Sequence, residues 1–85
     1  MRKITIYTTP WCGFCHRAKG LLKAEGLPFE EIDTTGDPER RAWLREVTGQ
    51  STVPQIFFGD ESIGGSDELA ALHRSGKLHE KLNDA

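Results

Sequence analysis

"KITIYTTPWCGFCHRAKGLLKAEGLPFEEID", residues 3–33, reads as a strand, a helix and a second strand, and it holds both cysteines of the chain. Lys3 to Thr8 sets Ile4, Ile6 and Tyr7 among threonines, β-branched and aromatic types that suit a pleated sheet, and Pro10 then breaks the strand. From Gly13 to about Glu25, Phe14, Ala18, Leu21 and Leu22 recur at helical spacing, with Arg17, Lys19 and Lys23 on the other side. Gly26 is the expected C-cap, and Phe29 to Asp33 the next strand. A helix between two strands implies a parallel pair joined by a right-handed crossover.

Working outward, Asp37-Pro38 is an N-cap and first-turn signature, Trp43, Leu44 and Val47 supply an apolar face, and Gly49 ends this second helix. Gln55 to Phe58 and Glu61 to Ile63 flank Gly59-Asp60 as an antiparallel hairpin. Gly64-Gly65-Ser66 leads into a third helix, Asp67 to Ser75, with Ser66 as candidate cap and Leu69, Ala70 and Leu72 toward the sheet; a short amphipathic tail around Leu78 and Leu82 follows. The order βαβαββα fits an α/β sandwich with helices on both faces of a four-stranded sheet. With 85 residues, 1–85 has room for one domain.

Composition narrows the function. A net charge of -2 and 28% charged residues without long blocks describe an ordinary globular chain with no basic footprint for nucleic acid and no polybasic surface for a membrane. Met1 to Ile6 carries a basic pair but no apolar signal region, so a reducing cytoplasmic setting is the expectation. There a permanent structural disulfide is disfavoured, and a lone cysteine pair points to redox or metal chemistry.

Cys12 falls in the strand-to-helix turn and Cys15 one helical turn further on. Free N–H groups and the positive dipole end of a helix favour an anion at that place, and a thiolate is one. Ordinary thiols titrate near about 8.5, whereas cysteines in Cys-X-X-Cys contexts reach roughly 3.5 to 7.5. Cys12 is thus the expected nucleophile. A second thiol held nearby can then attack the Cys12 sulfur and release a reduced substrate, which is the part expected of Cys15. Competing readings are a structural bridge, two buried spectator thiols, or zinc held by Cys12, Cys15, His73 and His79, whose spacing departs from that of zinc fingers.

Two further stretches bear on the pair. Thr52-Val53-Pro54 precedes the strand; a cis Val53–Pro54 bond would turn the Val53 backbone toward a neighbouring loop, where an extended peptide could pair with it. Gly64-Gly65-Ser66-Asp67 places N–H groups suited to a carboxylate beside an Asp suited to an ammonium, the two charges of an amino-acid head group. The plainer readings are strand punctuation and a capped turn.

In "ITIYT", "CGFCHRAKGLL", "TGQSTVPQIFF" and "IGGSDEL", in this order over nearly its whole length, the chain resembles a dithiol glutaredoxin. The resemblance implies the thioredoxin-like fold, a four-stranded mixed sheet flanked by helices, and a glutathione-dependent reductase of protein disulfides and glutathione mixed disulfides. By the same likeness Cys12 accepts glutathione and Cys15 resolves. Thr52, Val53 and Pro54 (the cis proline) contact glutathione, Gly65, Ser66 and Asp67 form its γ-glutamyl site, Phe14 stands where the family has a tyrosine, and Arg41 faces the glycyl carboxylate.

Three residues depart from the pattern. Thr9 replaces the usual Lys, Gly13 replaces the proline between the cysteines, and Pro10-Trp11 resembles thioredoxins and mycoredoxins. Gly13 keeps open a homodimer bridged by a [2Fe-2S] cluster on Cys12 and glutathione; Thr9 and Trp11 keep open a different thiol donor. The first expectation remains a monomer with glutathione as reductant, no tightly bound cofactor, and no nucleic-acid or membrane partner. Arg17 and Lys19, with His16, read as solvated helix residues whose charge helps hold Cys12 ionised.

Overall fold

The computed structural model describes residues 1–84. Its elements are β1 (Ile4–Thr8), α1 (Gly13–Ala24), β2 (Glu30–Asp33), α2 (Pro38–Thr48), β3 (Gln55–Phe58), β4 (Glu61–Gly64), α3 (Ser66–Arg74) and α4 (Leu78–Leu82). The strands form one sheet in the order β2-β1-β3-β4. β1 pairs parallel with β2 and antiparallel with β3, and β3 pairs antiparallel with β4. The expected βαβ unit and hairpin are both present, and the sheet is mixed.

Each face of the sheet buries its own apolar set. On one face Ile4, Ile6, Ile56 and Phe58 pack against Ala18 and Leu22 of α1, Leu69 of α3, and Leu78 and Leu82 of α4. On the other, Tyr7 and Phe57 meet Leu44 of α2. Burying a side chain of this size contributes about 1.5–3 kcal/mol, so α2, with one buried leucine, is held less deeply than α1, which buries Cys15, Ala18 and Leu22. Trp43 compensates in part: it stacks on Phe57 at 5.8 Å, and Tyr7 meets Trp43 at 5.7 Å. Trp43 and Val47 remain 40% and 48% exposed, so the apolar face expected of α2 is buried only at Leu44.

Two local expectations are corrected, and a third is made specific. Phe14 is 56% exposed, not inward, because α1 begins at Gly13 with a phase that turns Cys15, Ala18 and Leu22 to the sheet. Gly65, not Ser66, is the N-cap of α3: Glu68 Oε1 accepts from the Gly65 amide at 2.7 Å, and Ser66 is the first helical residue. The tail is a short helix, α4, whose Leu78 and Leu82 complete the core. Asp37 and Gly49 cap α2 as expected, the Asp37 carboxylate accepting from Arg40 N at 3.1 Å and Gly49 taking φ 77°.

Candidate active site

The C-terminal end of β1 delivers the chain through Thr9, Pro10 and Trp11 to Cys12, the N-cap of α1. The Cys12 side chain does what a capping serine does elsewhere: its sulfur accepts from the Cys15 amide at 3.0 Å. A sulfur in that position faces the unpaired N–H groups and positive end of the helix. As a thiol, Cys12 also donates toward the Val53 carbonyl at 3.5 Å, which ties the α1 mouth to the segment before β3. Cys12 is partly exposed, Cys15 fully buried, and neither is bridged.

The two sulfurs therefore sit in different surroundings. Burial, and next the hydrogen bond to Cys12, push the Cys15 thiol up to about 12; a backbone hydrogen bond with Thr9 and the charge of Lys19 pull the other way. Reagents from solvent meet Cys12 first. The division into an attacking and a resolving sulfur thus has a structural basis, and the buried-spectator reading does not describe Cys12.

The Val53–Pro54 bond is cis. Beside Cys12 a cleft of about 160 Å³ runs between the segment 52–54 and the start of α3, lined by Phe14, Thr52, Val53, Pro54, Gly65, Ser66 and Asp67 among others. These candidate residues come from three separate stretches of sequence, and the fold brings them together. Gly65 approaches Pro54 closely: a Cβ there would stand 3.2 Å from the Pro54 carbonyl oxygen. Asp67 is exposed at the cleft, whereas Ser66 is buried.

Arg41 is placed differently. Its guanidinium donates to the Ser51 carbonyl at 2.7 Å, and it lines a neighbouring groove with Thr9, Trp11 and Asp37, outside the first cleft. Three cleft residues were not anticipated from sequence: Gln50, Gln55 and Glu68. Gln55 is buried and donates to the Thr52 carbonyl at 2.9 Å, fixing that segment, while Glu68 fixes the Gly65 amide. A polar residue next to a cis proline, and a Glu at the third helical position, are the signals that point to them.

Lys19, Arg17 and His16 each meet a partner other than Cys12. Lys19 pairs with Glu31 at 2.9 Å, the Arg17 guanidinium stands 5.4 Å over the Phe14 ring, and the His16 ring lies 3.1 Å from the Pro10 carbonyl. His73 and His79 both turn to Glu25, at 3.3 and 3.2 Å. The four zinc candidates are thus not gathered, and no group of three or more His, Cys, Asp or Glu that could hold a metal occurs among the described residues. No helix among them is long and apolar enough to cross a membrane.

Comparison with known proteins agrees with this geometry. The family model described as Glutaredoxin matches residues 4–63. A glutaredoxin of Pseudomonas aeruginosa is 49% identical over 83 residues, covering 98% of this chain and 99% of that protein. Glutaredoxin 3 of Escherichia coli K12 is 42% identical over 78 residues, covering 92% and 94%. Among solved structures, a buckwheat glutaredoxin–glutathione complex superposes with a TM-score of 0.89 at 33% identity, over 95% of this chain and 76% of that one. The solution structure of a Brucella melitensis glutaredoxin gives 0.86 at 48% identity, over 96% and 89%. With its paired cysteines at the helix mouth, the chain belongs to the glutaredoxin family of thiol–disulfide oxidoreductases.

Proposed function

We propose that the protein is a glutathione-disulfide oxidoreductase that reduces protein disulfides and glutathionylated proteins, with glutathione restoring its thiols. The carrying observation is the juxtaposition of Cys12 with the cleft: its sulfur reaches the Val53 carbonyl, and Val53 lines the same cleft as Asp67. In this reading the tripeptide lies along Thr52 to Pro54 as an added strand, its carboxylate on the amides at the α3 start and its ammonium beside Asp67. Glu68 already occupies the Gly65 amide, so the head-group carboxylate falls to the amides of Ser66 and Asp67. Phe14 flanks the cysteine-bound end, and Arg41, one residue from the Thr52 segment through Ser51, lies toward the glycyl end.

Chemically, Cys12 Sγ attacks the glutathionyl sulfur of a mixed disulfide; the Cys12–glutathione bond forms, and the protein thiol leaves. A second glutathione, or Cys15, then displaces glutathione from Cys12. Gly13 alone speaks for a cluster-bridged homodimer, and Thr9 and Trp11 alone for another thiol donor, whereas the cleft from Thr52 to Pro54 and Gly65 to Asp67 speaks for glutathione. Turnover of a glutathionylated peptide with glutathione, with mycothiol, or with a thioredoxin-type flavoenzyme as sole reductant tests the reading. Glutathione is expected to sustain turnover; turnover with only one of the others contradicts it.

A further inference from the structure

When Cys15 attacks Cys12 its thiol has to lose a proton, yet it is fully buried. Burial opposes formation of an anion there, so some group has to offset it. Lys19 is placed to do so. It lies four residues, one turn, beyond Cys15 on α1, so the two side chains share one side of that helix. Its ammonium is held 2.9 Å from Glu31 Oε2 with the side chain only 18% exposed. The same oxygen accepts from the Thr8 hydroxyl at 2.7 Å, and Thr8 is buried at the end of β1. Thr8 thus fixes Glu31, and Glu31 fixes Lys19. The other cations of this helix turn are directed elsewhere, Arg17 over Phe14 and His16 at the Pro10 carbonyl. The charge of Lys19 is also one of the influences that ease ionisation of Cys15.

We propose that Lys19, anchored by Glu31 and Thr8, is a positioning residue for the resolving step, its ammonium stabilising the negative charge that gathers on Cys15 Sγ. The inference rests on the dithiol reading above. In the step, the Cys15 proton passes to the departing glutathione thiolate and the Cys15–Cys12 sulfur bond forms. The bond between Cys12 and the glutathionyl sulfur breaks and its electron pair leaves with glutathione, so the glutathionyl sulfur is reduced to a thiol, the Cys15 sulfur is oxidised in its place, and Cys12 passes from one disulfide to the other. Thiol attack depends on the thiolate fraction, so loss of the charge slows closure.

The test uses the full chain glutathionylated at Cys12, with glutathione release followed in a single turnover at pH 7. Lys19→Gln is expected to slow release by roughly three- to tenfold, and Lys19→Arg, which keeps the charge, to stay near the parent rate. In a Cys15→Ser background, where glutathione alone resolves, Lys19→Gln is expected to leave turnover of a glutathionylated peptide unchanged. Closure at the parent rate in Lys19→Gln, equal slowing in Lys19→Arg, or equal slowing in the Cys15→Ser background each overturns the inference while leaving the proposed function standing. A Cys15→Ser protein with no turnover of that peptide overturns the proposed function itself, and the inference with it.

Discussion

The amide of Cys15 donates to the sulfur of Cys12 at 3.0 Å, so the proposed nucleophile caps the helix on the backbone of the proposed resolving residue. The contact runs through backbone, not side chain. Replacing the Cys15 thiol therefore leaves the donor to Cys12 in place.

Cys15→Ser is accordingly expected to keep deglutathionylation near the parent rate while losing most reduction of protein disulfides. Cys12→Ser is expected to lose both. Parallel assays on a glutathionylated peptide and a protein disulfide check this, and equal loss of both activities in Cys15→Ser contradicts the division.

Asp67 is exposed and lines the cleft, and an ammonium is proposed beside it. A charge-assisted hydrogen bond is worth about 1.5–3 kcal/mol, less at an exposed position, so Asp67→Asn should raise KM for the glutathionylated substrate by roughly tenfold with kcat little changed. Steady-state kinetics decide it; an unchanged KM removes Asp67 from the site.

Gly64 has φ 111°, and a Cβ built there would lie 2.6 Å from Glu68 Oε1, the oxygen that caps α3. Gly64→Ala must both strain the backbone and displace the cap, a cost of about 1–3 kcal/mol. Urea unfolding is expected to show that loss. A midpoint equal to the parent's shows that the turn relaxes freely.

Glu25, at the end of α1, receives His79 of α4 and His73 of α3 on its two carboxylate oxygens. The hydrogen bond from His79, and then His73, hold its carboxyl below the ordinary 4.5. A carboxyl lowered in the folded state contributes stability above its unfolded value and loses it as pH falls through the folded one. The gap in urea midpoint between the parent and Glu25→Gln should therefore narrow as pH falls below about 4.5. A constant gap contradicts the assignment.

Much of this architecture is legible in the sequence, for local reasons. Ile4, Ile6, Ile56 and Phe58 sit where β-branched and aromatic runs predict strands, and Asp37-Pro38 and Gly49 bracket α2 by their own backbone preferences. Phe14 misleads because Cys15, considered only for its chemistry, takes the buried position of the helix repeat. α4 is too short to show a period, and only the contacts of Leu78 and Leu82 with the sheet core reveal it. At the site, cysteines, proline and Gly64 to Asp67 announce themselves by type and spacing. Gln55, Glu68 and the direction of Arg41 do not, since each depends on a backbone atom brought close by the fold: the Thr52 carbonyl, the Gly65 amide and the Ser51 carbonyl.

Cys12 alone is expected to meet a glutathione disulfide, with Cys15 acting only afterward. Mixing the reduced protein with oxidised glutathione at pH 7, quenching with acid at short times and mapping peptides by mass spectrometry tests it directly. An early glutathionyl adduct on Cys12, converting to a Cys12–Cys15 disulfide, is the expected result; an adduct first found on Cys15, or on neither cysteine, contradicts this order of events.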